Sequence, residues 1–254
     1  MWPQNLLMPP HVWKPSSQSL TITAGEVHVW RASLAVPAAE LGRWEATLEA
    51  DERARAARFH FQTDRDHFVA GRGFLRALLG RYTGRAPAQL RFVYNAFGKP
   101  DLATNPGASP LRFNLAHSHG LALCAVTRTR QIGVDVERIR PDFATEEIAR
   151  KFFSPNEAAK LLALPAELRS AVFFDCWTRK EAFIKARGLG MSLPLDQFEV
   201  AFAPGETPAL IHAQDDPQAP SRWTMRPLAP GAGYAGAVLV EGGEWELECW
   251  DWSG

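Results

Sequence analysis

Gln131-Ile132-Gly133-Val134-Asp135-Val136-Glu137 and Trp177-Thr178-Arg179-Lys180-Glu181-Ala182-Phe183-Ile184-Lys185 decide how this chain is read. In the first stretch Ile132, Val134 and Val136 alternate with Gly133, Asp135 and Glu137, the period of a buried strand. Side chains two apart share a strand face, so Asp135 and Glu137 point the same way. Carboxylates so placed repel each other, and they make a ready pair of hard oxygen ligands for a divalent cation. The second stretch reads as a helix. Trp177, Glu181 and Lys185 recur at every fourth position and lie on roughly one face. Glu181 offers a third oxygen, and Lys185, one turn on, is placed to hold a phosphate. This set points to a magnesium ion handling a polyphosphate.

Composition narrows the remaining classes. A chain of 254 residues suits one large domain or two small ones, and a hydrophobic content of 46% supports a real core. The formal net charge is +0 and the pI about 7.1, which argues against a general nucleic-acid or membrane-surface binder. Cys124, Cys176 and Cys249 lie far apart with no CxxC spacing. They read as reduced thiols of a cytoplasmic protein rather than a disulfide frame or zinc site. No segment is long and apolar enough to span a bilayer, and the N-terminus has no secretion-signal pattern.

Outward from the two stretches, the pattern alternates strands and helices. Residues 1–19 carry Pro3, Pro9, Pro10 and Pro15 and read as an extended arm. Residues 26–34 alternate as a strand, with His28 expected at the surface or in a turn. Residues 38–61 look helical, with Asp51 as a helix cap; Asp64 to Tyr82 forms a second helix. Arg53, Arg55 and Arg58 make a basic helix face that meets either water or phosphate, and the same alternatives hold for Arg72. Short strands are expected at 90–94 and 111–115, with a tight turn at 96–100 and a loop at 104–110. Ser154-Pro155-Asn156-Glu157 is a capping signal, so Glu157 has a structural reading from the outset. On the helix that follows, Arg179 and Lys180 point away from the Glu181 face and are expected in solvent. Residues 222–228, 233–240 and 245–252 read as three strands completing a second sheet. The pattern alone gives an α+β fold.

These residues also carry a family resemblance. IGVDVE at 132–137 and WTRKEAFIKARG at 177–188 resemble the paired signature of the 4′-phosphopantetheinyl transferases. FGKP at 97–100, FNLAHS at 113–118 and FFSPNE at 152–157 add to it, and the likeness runs over residues 45 to 202. The longer, two-lobed Sfp-type branch fits best. The resemblance implies two similar α/β lobes side by side as an intramolecular pseudodimer. Residues 20–130 would form the N-terminal, coenzyme A-binding lobe and 131–254 the C-terminal lobe with the metal and catalytic residues. It implies transfer of 4′-phosphopantetheine from coenzyme A to a serine of an apo acyl or peptidyl carrier protein, releasing adenosine 3′,5′-bisphosphate, by a monomeric enzyme. Mg²⁺, or Mn²⁺, would be held by Asp135, Glu137 and Glu181. Lys185 would act on the leaving phosphate, and Glu157 would take the serine proton or stand beside the metal. Arg55, Arg58, Arg72, Lys99 and His117 would grip coenzyme A phosphates with Lys185. Ala116 stands where the family commonly has serine, so one phosphate hydrogen bond is missing. Another magnesium-dependent phosphotransferase or hydrolase, or a non-catalytic module binding carrier proteins or coenzyme A, stays open on sequence alone.

Overall fold

The computed structural model describes residues 11–16, 20–103 and 111–253, and an α+β chain. The loop expected over 104–110 and most of the arm expected over 1–19 lie outside the described residues. Within the arm, β1 (Lys14–Pro15) is followed by β2 (Glu26–Ser33), α1 (Ala38–Glu45), α2 (Ala50–Ala56), α3 (Gln62–Thr83), β3 (Phe92–Tyr94), β4 (Pro100–Leu102), β5 (Leu111–Ser118) and β6 (Leu121–Arg128). The remainder is β7 (Ile132–Arg138), α4 (Glu146–Phe152), α5 (Pro155–Leu162), α6 (Ala166–Arg187), β8 (Phe198–Val200), β9 (Leu210–Ala213), α7 (Ala219–Arg222), β10 (Trp223–Leu228), β11 (Tyr234–Glu241) and β12 (Glu246–Asp251).

One order of elements occurs twice. A strand, three helices, a small hairpin and two antiparallel strands run from β2 to β6 and again from β7 to β11, with α7 inserted in the second run. The pairing repeats too: β2 lies against β6 and β6 against β5, as β7 lies against β11 and β11 against β10. In each run the third helix, α3 or α6, has 22 residues. The two sheets face each other across one apolar layer. Val27, Val29, Leu123 and Ala125 of the first meet Ile132, Val134, Val136, Val238 and Val240 of the second.

The structure departs from the sequence expectations in both long-range pairing and local detail. Of the three strands expected to complete the second sheet, only β10 and β11 do so. β12 returns to the first sheet and pairs in parallel with β2, with Trp250 opposite Trp30. Trp250 stacks on Trp30 and Trp252 sets its edge to Phe74, aromatic contacts that burial of so much surface favours. The 20–130 and 131–254 division therefore cuts through a sheet. β1 adds a further parallel strand beside β12, and the Trp13 indole donates to the Ala229 carbonyl at 2.8 Å, so the described part of the arm lies along the body. His28 is in the core, 4% exposed, with its Nδ1 2.6 Å from the Tyr82 hydroxyl. The helix expected to start at Asp51 begins at Ala50, after Glu49, whose N–H bonds to the Glu52 carboxylate.

Candidate active site

β7 and α6 make the floor of the site because Gly133 lets them touch. A β-carbon at Gly133 would overlap the Ala182 carbonyl oxygen and the Ala186 amide nitrogen of α6. Gly133, Asp135 and Glu137 share the β7 face turned to this helix, while Ile132, Val134 and Val136 turn to the apolar layer between the sheets. Asp135 is thus buried, at 2% exposure, directly beneath α6. Its Oδ1 accepts from Lys185 Nζ at 2.5 Å, and its Oδ2 is buried with no partner. Glu181, one turn before Lys185, is half-buried beside them.

Charge is concentrated here at the cost of solvation. Burial pushes the Asp135 carboxyl up to about 7, against the pull of Lys185 and with help from Glu181 and Glu137. Burial likewise raises Glu181, with Lys185 opposing and Glu137 adding to it. Burial alone would lower Lys185, but Asp135, Glu181 and Glu137 more than offset it and hold the ammonium charged. Among the described residues no three His, Cys, Asp or Glu side chains converge as ligands of a bound ion would. The positive charge among these acids is the Lys185 ammonium. The donor set is nonetheless all carboxylate oxygen, and the unpartnered Oδ2 of Asp135 is a buried acceptor of the kind a hard cation takes.

His117, at the end of β5, lies within reach of the charges of Lys185, His67 and Arg55. Burial, then the charges of Lys185, His67 and Arg55, lowers the pKa of His117 below the ordinary histidine value. His67, on α3, lies against the β5–β6 turn, its ring 3.8 Å from where a β-carbon at Gly120 would stand. Sequence reading passed over His67, which carries no signal beyond a helix position. Arg55 is exposed on α2 with its guanidinium 5.3 Å from the centre of the Phe68 ring, and Arg58 is exposed just beyond that helix. Ala116 is buried in the apolar layer beside Val27 and Leu123, so its missing hydroxyl suits its surroundings. The hydroxyl at this end of β5 comes from Ser118, which donates to Glu137 Oε2 at 2.6 Å.

Two predicted site residues, Arg72 and Glu157, are not brought here, while Lys99 reaches the wall of the cleft that Glu181 and Lys185 line but spends its ammonium on backbone. Arg72 pairs with the buried Glu52 and donates to the Tyr94 hydroxyl at 3.0 Å, alongside Arg76, which is 0% exposed and bonds Glu49, Glu52 and two carbonyls. Its charge is spent inside the fold. Lys99 donates to the Ile132 and Ala186 carbonyls at 3.0 and 2.9 Å and so ties the 96–100 turn to β7 and α6. Burial brings its pKa down to about 8. Glu157 is 1% exposed and completes the capping box of α5. It also accepts from the Val200 N–H at 2.9 Å and pairs with Lys180 at 2.7 Å. Lys180 and Arg179, expected in solvent, are 0% and 4% exposed. Lys180 donates to the Leu195 and Phe198 carbonyls as well, and Arg179 to that of Ala201. A lysine enters a core only when every N–H finds an acceptor, and here each does.

Beside the acids opens a largely apolar cleft of about 780 Å³, walled by Phe97, Leu115, Phe152, Trp177 and Ile184, with Glu181 and Lys185 at its head. Trp177 is held there by Phe143, Phe152, Phe153 and Phe173.

A half-buried lysine among carboxylates, with arginine charge nearby and an apolar cleft beside it, suits a protein that handles a phosphate-bearing substrate. The family model of the 4′-phosphopantetheinyl transferase superfamily matches residues 131–239, and that of the 4′-phosphopantetheinyl transferase N-terminal region matches residues 36–129. The chain is 43% identical over 240 residues to the 4′-phosphopantetheinyl transferase HetI of Nostoc sp., covering 94% of this chain and 98% of that one. It is 33% identical over 158 residues to the 4′-phosphopantetheinyl transferase Sfp of Bacillus subtilis, covering 62% of this chain and 68% of that one. The chain belongs to the 4′-phosphopantetheinyl transferase superfamily. No described helix is long and apolar enough to cross a membrane.

Proposed function

We propose that this protein, a 4′-phosphopantetheinyl transferase by family, works at the cleft headed by Glu181 and Lys185. It moves the 4′-phosphopantetheine group of coenzyme A to a serine of an apo acyl or peptidyl carrier protein. The serine oxygen bonds to the β-phosphorus, the bond from that phosphorus to the bridging oxygen breaks, and adenosine 3′,5′-bisphosphate leaves. The observation that carries this is the Asp135–Lys185 pair at the head of an apolar cleft, in a chain similar to HetI along nearly its whole length. The repeated order of elements supports two lobes forming a pseudodimer within one chain, which we take to be a monomeric, cytoplasmic enzyme.

Asp135, Glu137 and Glu181 would hold Mg²⁺, or Mn²⁺, and their all-oxygen chemistry with the unpartnered Asp135 Oδ2 supports that fit. A bound divalent cation supplies neutralisation of the diphosphate oxygens. The chain's own groups do the rest. Lys185 carries a charge to the departing phosphate, and His117, Arg55 and Arg58 receive the nucleotide end. With Glu157 committed to Lys180, Glu181 is the carboxylate at the cleft able to take the serine proton. The apolar walls exclude water that would compete with the serine.

The test is a mass measurement on several apo-carrier proteins incubated with coenzyme A and magnesium. We expect a mass gain equal to one phosphopantetheine on at least one carrier, and none with Asp135→Ala. Carrier binding without any mass gain would mean a non-catalytic module, and full activity of Asp135→Ala would remove the metal assignment.

A further inference from the structure

The two sheets meet along β5 and β7, which share no ladder of backbone bonds. Side chains of β5 do that work instead. The Val134 N–H donates to Asn114 Oδ1 at 2.9 Å, and the Arg138 N–H donates to Ser118 Oγ at 3.2 Å. Each acceptor precedes its donor by 20 residues, so the strands run in the same direction in constant register. In an ordinary parallel pair a carbonyl would accept these bonds.

Ser118 does more than close the seam. Its Oγ lies 2.6 Å from Glu137 Oε2 and 3.1 Å from His119 Nδ1 as well as 3.2 Å from the Arg138 nitrogen. A hydroxyl has one hydrogen and accepts on its oxygen. An amide N–H only donates and a carboxylate only accepts, so the single hydrogen goes to Glu137 and a lone pair to Arg138. The direction of the bond is therefore fixed by the strand itself. At 7% exposure no solvent competes freely for that hydrogen. Among the described residues Ser118 is the hydrogen-bond partner Glu137 has.

We infer that Ser118 is a positioning residue for Glu137. Anchored by the β7 backbone, it grips Oε2, fixes the orientation of the carboxylate and leaves Oε1 for a cation shared with Asp135 and Glu181. The inference rests on the reading of those three acids as cation ligands. Partners that orient a ligand typically matter 10–100-fold in metal affinity.

The decisive comparison is Ser118→Thr against Ser118→Val, side chains of one shape that differ by the hydroxyl. Binding of Mn²⁺ alone to the full-length protein is read from loss of the free-ion electron paramagnetic resonance signal, with thermal unfolding in chelator as the folding control. We expect Ser118→Thr within about threefold of the parent, and Ser118→Val weaker by about tenfold or more. Equal affinities of the two variants, with Glu137→Gln clearly weakened, overturn the role of Ser118 while leaving the acids as ligands. Parent-like binding by Glu137→Gln overturns the ligand reading and this inference with it.

Discussion

Lys180→Met is the perturbation whose outcome the structure constrains most tightly. The Lys180 ammonium has three hydrogens and meets Glu157 at 2.7 Å, the Leu195 carbonyl at 2.8 Å and the Phe198 carbonyl. Lys180 is 0% exposed and Glu157 1%, so neither end sees water. Methionine fills much of the lysine stem, so the packing loss is small. What remains is a carboxylate without its counter-charge. Removing one partner of a buried pair costs about 3–5 kcal/mol, a large share of the ~5–15 kcal/mol of a typical domain. Two carbonyls also lose donors, in the segment that carries Leu193 and Leu195 on the cleft wall.

Urea denaturation measures the loss directly. With a slope of about 2–3 kcal/mol per M, the midpoint falls by roughly 1.5 M. Glu157→Gln combined with Lys180→Met removes both charges, although the Ser154 and Val200 N–H groups now bond different oxygens of Glu157 and the single Gln oxygen keeps one of them. The double variant should therefore recover about half of the loss, a coupling of ~1.5–3 kcal/mol. A Lys180→Met midpoint within ~0.3 M of the parent would refute the reasoning. So would a double variant whose cost equals the sum of the single ones.

Other outcomes follow from the same contacts. Gly133→Ala drives a methyl into the backbone of α6, so we expect about 1–3 kcal/mol of destabilisation and, from the displaced Glu181 and Lys185, a turnover loss of around a hundredfold; parent-like turnover would show that α6 needs no such close approach. Lys99 has a folded pKa of about 8 against an ordinary 10.5, so between these values the unfolded chain binds more protons and stability rises with pH. Stability measured at pH 7 and pH 10 should rise less in Lys99→Met than in the parent, and equal rises would contradict the burial of that ammonium. His117→Ala should raise the KM for coenzyme A roughly tenfold, the value of one charge-assisted bond, and lower kcat less; a kcat loss exceeding the KM change would make His117 part of the chemistry rather than of binding.

Local patterns were legible in the sequence and distant partners were not. The alternation of 132–137 put Asp135 and Glu137 on one strand face, and the four-residue spacing of 177–185 put Glu181 and Lys185 on one helix face. Both hold because period is a property of neighbours. The capping signal at 154–157 holds for the same reason. Burial of Lys180, Arg179, Arg72 and His28 was not readable, since polar residues read as exposed unless their acceptors are known. Those acceptors come from Leu195, Phe198, Ala201, Glu52 and Tyr82, on other elements. β12 looked like one more strand of the sheet before it, and only the partnering of Trp250 with Trp30 and of Cys249 with Val29 sends it to β2.

Three lysines divide their hydrogens differently, and the counts separate structure from chemistry. Lys180 spends three N–H groups inside the protein and Lys99 spends two on carbonyls. Lys185 spends one, on Asp135, and its side chain is 30% exposed at the head of the cleft. Among the described residues its other donors have no protein acceptor. A lysine held charged by neighbouring acids, with donors left over and an apolar cleft beside it, is poised for an anion brought by a substrate. The buried Lys180 makes that possible one residue before Glu181, because it pins the helix that presents both Glu181 and Lys185. Were the roles reversed, with Lys185 fully satisfied and Lys180 open, the helix would turn a structural face to the cleft. The same sequence motif thus divides its charges between holding α6 still and meeting a phosphate.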